Sequence, residues 1–259
     1  MTPEPTDSNQ PIISIRGLVT NLGDRLIHDH IDLDVRRGEV IAIVGGSGSG
    51  KSVLLRSIVG LMRPQEGAIE VFGEDALAYD ETALRRLQRR WGVLFQEGAL
   101  FSSQTVAENV QVPLREYTKM SQELMNEIAA VKLAMVGLGE DAAAKFPSEL
   151  SGGMKKRASL ARALVLDPEI VFLDEPTAGL DPIAANAFDE LIRNLQKSLN
   201  LTVFMVTHDL DTLRSIADRV AVLVNRTLKV GTIAEVMRDK DPWIQDYFSG
   251  PRGRAALGS

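Results

Sequence analysis

The chain has no cysteine among its 259 residues, which excludes a disulfide framework and any thiolate-bound metal and is compatible with a reducing compartment. It also lacks any run near the roughly 20 uninterrupted apolar residues that cross a bilayer. Residues 1–11 are polar, with no basic stretch leading into an apolar one, so no secretory signal is read there, and the chain is expected in the cytoplasm unless a partner holds it at a membrane. An excess of positive charge is missing as well. The 29 Lys+Arg against 35 Asp+Glu leave a net charge of −6, which argues against general nucleic-acid binding. The local cluster Arg85, Arg86, Arg89 and Arg90 reads as the solvated face of a helix. Internal repeats and low-complexity segments are absent too. What remains, 44% hydrophobic and 25% charged residues, is ordinary globular composition, and the length suits one α/β domain with lobes.

Residues 1–11 read as a flexible lead and 249–259 as a tail around a domain over 12–248. Ile12–Val19 and Leu26–Val35 alternate apolar and polar residues as half-buried antiparallel strands do. Val40–Val44 is a continuous apolar run ending in glycines, the pattern of a buried parallel strand that feeds a loop and then a helix over 51–61. A short strand at 67–72, a polar helix at 81–90 and a strand at 93–95 follow. A helical lobe is expected at about 97–165, where Thr105 and Glu108 make a capping box and Leu124, Ile128, Val131 and Met135 recur at helical spacing. Ile170–Leu173 and Val203–Val206 are further all-apolar strands, separated by a helix with Phe188, Leu191, Ile192, Leu195 and Leu199 on one stripe. Such alternation implies right-handed crossovers and a mainly parallel central sheet.

Gly45-Gly46-Ser47-Gly48-Ser49-Gly50-Lys51-Ser52 fits the phosphate-loop pattern and lies where that pattern works, between a buried strand and a helix. Glycines let the backbone curl with its N–H groups pointing inward at phosphates, and the helix N-terminus adds partial positive charge. Lys51 then reaches the β- and γ-phosphates of ATP, and the Ser52 hydroxyl ligates Mg²⁺. Leu173-Asp174-Glu175-Pro176 closes the second buried strand and places two carboxylates at the carboxyl edge of the sheet, where α/β proteins bind ligands. Asp174 suits the Mg²⁺ shell and Glu175 the polarisation of an attacking water. The alternative for this acid pair is a helix cap.

Leu150-Ser151-Gly152-Gly153-Met154 is similar to the signature motif of the ABC ATPases, and with it the chain resembles that family over nearly its whole length. Ser151 and the two glycines at a helix start make a second anion-binding nest. The resemblance implies that Ser151, Gly152 and Gly153 serve the ATP held by a second copy, in a head-to-tail homodimer. It implies further that Gln96 is the Q-loop glutamine that contacts Mg²⁺ or the attacking water, that Ala178–Asp181 is the D-loop, and that His208 is the switch histidine on the γ-phosphate. Glu175, His208 and Gln96 are thus the expected catalytic residues. The implied fold is a P-loop NTPase of the ABC ATPase type: α/β, with a mainly parallel central sheet, an antiparallel β lobe and an inserted helical lobe. Leu22 departs from the pattern, standing where an aromatic usually stacks on adenine, and Met154 stands where glutamine is commonest.

Phe95–Phe101, Pro113–Glu116, Leu150–Met154 and Ser215–Asp218 together resemble the ATPases of Mla-type lipid systems, although the phosphate-loop spelling and Thr177 differ. That resemblance implies phospholipid transport powered from the cytoplasmic side of the inner membrane. It also implies an integral membrane permease as partner, joined by an MCE-domain protein and a small accessory subunit. The ATPase of a polar-solute importer would share every catalytic motif, so that reading stays beside the first; a non-transport ABC protein stands further off. Leu100 and Phe101 either fill the core or line a groove for a permease helix.

Overall fold

A computed structural model describes residues 10–77 and 81–250; the expected lead up to residue 9 and the tail from 251 lie outside the described residues. In chain order come strands β1 (Ile13–Leu22), β2 (Arg25–Val35) and β3 (Val40–Gly45), helix α1 (Lys51–Ile58), strands β4 (Glu66–Val71) and β5 (Glu74–Asp75), helix α2 (Glu81–Gln88) and strand β6 (Trp91–Leu94). Helices α3 (Val106–Tyr117), α4 (Gln122–Met135), α5 (Glu140–Ala143) and α6 (Gly152–Leu164) follow, then β7 (Ile170–Asp174), α7 (Pro182–Leu199) and β8 (Thr202–Val206). Last are α8 (Leu210–Ile216), β9 (Arg219–Val224), β10 (Thr227–Gly231), α9 (Ile233–Val236) and α10 (Pro242–Ser249). The chain divides into two compact units, 1–84 with 206–259 and 85–205.

The first unit holds the antiparallel sheet β2-β1-β4-β5 and the strand set β10-β9-β3. The expected alternation holds for Ile13 and Ile15 of β1 and for Ile31, Leu33 and Val35 of β2, all buried, while Arg16 and Asp34 form an ion pair in solvent. Beyond them the register between the strands shifts, and the buried phase moves to Leu18 and Thr20 in β1 and takes in both Ile27 and His28 in β2. Strand β3 is buried at every residue and runs parallel to β9, from Ile41 opposite Arg219 to Gly45 opposite Leu223. Its start is fixed by the Val40 N–H, which donates to Asp218 at 2.8 Å, and by the buried pair of Glu39 with Arg219 at 3.0 Å. These contacts set the register that delivers Gly45 to the strand end. Helix α1 stops three residues short of its expected end because Gly60 takes a left-handed conformation, φ 78, which closes a helix at little steric cost.

The second unit carries β8-β7-β6, with β6 and β7 parallel from Trp91 opposite Ile170 to Leu94 opposite Leu173. Phe172 fills its core, with the Trp91 ring edge-on at 5.9 Å and the Phe204 ring at 5.5 Å. Helix α3 begins with the expected reciprocal box of Thr105 and Glu108. Helix α4 forms, but with the predicted stripe turned outward: Leu124 and Val131 are exposed, whereas Met125, Ala129, Lys132 and Leu133 are buried. Small Ala129 permits close packing there, and Lys132 lays its apolar stem inward while its ammonium reaches Asp167 at 2.5 Å.

Candidate nucleotide site

In the first unit, β3 feeds the expected phosphate loop into α1. Gly50 sits at the N-cap with φ 110 and ψ 8, a conformation that glycine adopts without strain. A Cβ on Gly50 would also lie 2.4 Å from Ile27 Cγ2 and 2.7 Å from His28 Nε2, so close packing demands glycine a second time. The Gly50 carbonyl accepts from the Leu54 N–H at 2.9 Å and pairs with His28 Nε2 at 3.2 Å. Because the C=O of residue 50 and the N–H of residue 51 point oppositely within one planar peptide, holding the carbonyl back turns the Lys51 N–H outward. The Lys51 ammonium arches over the loop and donates to the carbonyls of Gly45 at 2.9 Å and Gly46 at 3.1 Å. Gly46, Ser47, Gly48, Ser49 and Ser52 are all at least partly open to solvent.

His28 is a residue that motif reading misses. It is fully buried, its Nδ1 has no hydrogen-bond partner among the described residues, and burial lowers its pKa from 6.5 to about 4 despite the opposing pull of the Gly50 carbonyl. The ring is therefore neutral near pH 7 and donates through Nε2. The alternation of β2 gives no signal for it, because His28 has the parity of His30, Asp32 and Asp34, and only the register shifts between β1 and β2 go with its burial.

His208 lies in the same unit, in the turn between β8 and α8, and is exposed. The Thr207 N–H donates to the Ile43 carbonyl at 3.2 Å, which seats this turn beside the end of β3. Asp209 caps α8 through the N–H groups of Asp211 and Thr212. Leu22, at the β1–β2 turn, is 46% exposed and presents no π-face.

The remaining candidates lie in the second unit. Strand β7 ends on Asp174, buried among apolar neighbours, and Glu175 follows in a left-handed conformation, φ 49. Such a backbone costs a non-glycine residue on the order of 1 kcal/mol or more, so it persists only where the surroundings enforce it. Lys156 supplies the enforcement: its ammonium donates to the Glu175 carbonyl at 2.9 Å and to the Gln96 carbonyl. One buried cation thus ties two of the expected catalytic residues together. Burial lowers the Lys156 pKa, an effect that the Glu175 and Asp174 carboxylates oppose.

Helix α6, which carries Lys156, opens on Ser151, whose hydroxyl accepts from the Met154 N–H at 3.3 Å. Leu180 of the expected D-loop lies against Gly152 and Gly153, 3.8 and 4.0 Å from where their Cβ atoms would be. Farther along the same helix, Arg162 donates to the carbonyls of Ala99 and Gly98, each at 2.8 Å. Asn109 adds bonds to the Phe101, Gln104 and Thr105 carbonyls and accepts from the Phe101 N–H. The segment after exposed Gln96 is therefore held by backbone clamps, while the Phe101 side chain is 50% exposed, which rules out the core-filling alternative for it. Lys156, Arg162 and Asn109 were not legible as site residues, because a cation in the run Lys155-Lys156-Arg157 looks like helix surface.

Among the described residues no helix is long and apolar enough to cross a membrane. Residues 28–178 match the family model described as ABC transporter. The chain is similar to the intermembrane phospholipid transport ATP-binding protein MlaF of Haemophilus influenzae, 40% identical over 243 residues that span 93% of this chain and 92% of that one. MlaF of Escherichia coli K12 is 39% identical, with 92% and 89% covered. The probable ribonucleotide transport ATP-binding protein mkl of Mycobacterium tuberculosis H37Rv is 40% identical over 93% of this chain and 67% of its own length. Among solved structures, the dimeric ATP-binding cassette MJ0796 bound to ADP and Pi superposes with a TM-score of 0.78 at 30% identity over 85% of this chain and 98% of that one. CbiO1 of Clostridium perfringens superposes with a TM-score of 0.80 at 30% identity over 96% and 99%. The chain belongs to the ABC transporter family, as one of its ATP-binding, ATP-hydrolysing subunits.

Proposed function

We propose that this ATPase powers phospholipid transport from the cytoplasmic side of the inner membrane, through an integral membrane permease that works with an MCE-domain protein and a small accessory subunit. The observation that carries this reading is likeness along the whole length to two proteins named for intermembrane phospholipid transport, 39–40% identical over about nine-tenths of both partners. A polar-solute reading draws support from the name of mkl, but a third of that protein has no counterpart in the match, so the phospholipid reading is the better supported. Residues 12–248 form the ABC ATPase domain, with its helical lobe over about 97–165.

In this reading Gly45–Ser52 cradles the phosphates of ATP, with Lys51 supplying positive charge. The carboxylate of Glu175 takes the proton of the attacking water, His208 contacts the γ-phosphate, and Gln96 orients water and metal. Ser151, Gly152 and Gly153 bind the ATP of a second copy in a head-to-tail homodimer. Among the described residues no group of three or more His, Cys, Asp or Glu could hold a metal. Ser52, Asp174 and Gln96 are the residues proposed to hold Mg²⁺, and each carries the oxygen donor that this hard cation takes. When bound, Mg²⁺ would neutralise charge building up on the phosphates.

The test is purification with the co-isolating permease into vesicles containing a fluorescent phospholipid. ATP should drive lipid movement, and Glu175→Gln should bind ATP yet lower hydrolysis about 10²-fold or more, since an amide keeps the shape and cannot accept the proton. Uptake of nucleotide or another polar solute with no lipid movement would overturn the assignment.

A further inference from the structure

Helix α10 is distant in sequence from every nucleotide motif, yet it touches two of them within the first unit. Trp243 lies on the phosphate loop: a Cβ added to Gly46 would meet the indole at 3.5 to 4.0 Å. The Tyr247 ring stacks on that indole, with centroids 4.8 Å apart and planes inclined by 14°. Its hydroxyl donates to the His208 carbonyl at 3.0 Å. One helix turn thus joins the loop that binds phosphates to the turn that bears the expected switch histidine.

The helix is braced well enough to transmit position. Ile244 and Phe248 are fully buried, and Phe248 meets Tyr247 edge-on at 5.0 Å. Asp241 caps the helix by accepting from the Trp243 N–H at 2.9 Å and is itself held by Asn225 at 3.0 Å. Gln245 donates to the carbonyls of Met237 and Asp239. A groove of about 490 Å³ lined by Gly46, Ser49, Asn225, Asp241 and Trp243 runs beside the loop.

We propose that Trp243 and Tyr247 are positioning residues for ATP hydrolysis: Trp243 backs the phosphate loop and Tyr247 sets the His208 turn, so that the two move together when nucleotide binds. The proposal rests on the phosphate-loop reading above. A Cβ at Gly46 would just touch the indole, so the ring lies within about one methyl's breadth of the loop backbone, and a shift of the loop on binding ATP changes the ring's surroundings. Removing the Tyr247 hydroxyl frees the carbonyl of His208 without touching the nucleotide, so it should act on turnover and not on affinity.

The chain has two tryptophans, Trp91 and Trp243, and Trp91→Phe leaves Trp243 as the sole indole. In that background, ATP should change the emission with the same midpoint as displacement of a fluorescent ATP analogue. Tyr247→Phe should lower kcat about 3- to 10-fold, the size of one neutral hydrogen bond, with KM within about two-fold. Trp243→Ala should raise KM about five-fold, and Trp243→Phe should recover most of it. If melting shows Trp243→Ala unfolded, Trp243→Phe and Tyr247→Phe decide. Unchanged emission while the analogue is displaced, or wild-type kcat and KM in folded Trp243 and Tyr247 variants, overturns the proposal. ATP binding by Lys51→Ala at wild-type strength would instead remove the phosphate-loop reading itself, a separate outcome.

Discussion

His28→Leu isolates a buried imidazole that strand β2 places under the phosphate loop. Native His28 titrates near pH 4 while its unfolded reference is 6.5, so between those values the unfolded chain holds a proton that the native state refuses. Stability from this residue is therefore complete above pH 6.5 and lost as pH falls towards 4. The full gap of roughly 2.5 pH units is worth about 3 kcal/mol, of which about 2 kcal/mol falls between about pH 7 and about pH 5. His30 acts in the opposite direction, since its hydrogen bond to Asp29 raises its pKa, but it is present in both proteins and cancels in the comparison. Near pH 7 the two should differ by less than about 1 kcal/mol, because leucine gives up one modest hydrogen bond and removes an unpartnered Nδ1.

Urea unfolding at both pH values, with equal slopes as a check on two-state behaviour, measures the difference. The leucine variant should show a smaller loss on acidification by about 2 kcal/mol, and a several-fold higher KM for ATP where the Gly50 peptide has lost its backing. Identical pH dependence in wild type and variant would refute the buried, neutral assignment. An unchanged KM would refute the link between His28 and the loop.

Two further predictions follow from the second unit. Lys156→Met should lower kcat about tenfold or more with ATP affinity within about two-fold, since the Gln96 and Glu175 carbonyls lose a shared charged donor and both side chains drift; steady-state turnover beside equilibrium nucleotide binding checks it, and Lys156→Arg should recover part of the rate. Ser151→Arg should leave ATP binding to one subunit intact while stopping hydrolysis, because the guanidinium fills the nest offered to the second copy's phosphate; turnover by a demonstrably monomeric protein would sink the two-copy site.

Strand β3 and the loop after it were legible because two independent signals coincide there. An all-apolar run specifies burial on both faces, and a glycine pattern with Lys51 and Ser52 specifies the turn that must follow. The outward stripe of α4 shows where such reasoning stops. Leu124, Ile128, Val131 and Met135 and the buried set Met125, Ala129, Lys132 and Leu133 differ by about one position around the helix, and periodicity cannot choose between two adjacent stripes when one contains alanine and a lysine. Helix α10 was invisible for a different reason: the contacts of Trp243 and Tyr247 join segments about 200 and 40 residues away in sequence, and no local pattern encodes its neighbour.

Glu175 shows how the missed residues and the legible ones depend on each other. A glycine would take φ 49 there without strain, but glycine carries no carboxylate, so a position that needs both the turn and the charge must be stabilised from outside. The Lys156 ammonium, on the Glu175 and Gln96 carbonyls, lies on the helix that begins at Ser151. The local strain at the expected base is thereby tied to the position of the signature helix. A movement of α6 that lengthens the Lys156 bonds would release the backbone of Glu175 and of Gln96 together, so under the proposed two-copy arrangement the helix expected to meet a second copy's ATP would also control the geometry of the first copy's carboxylate.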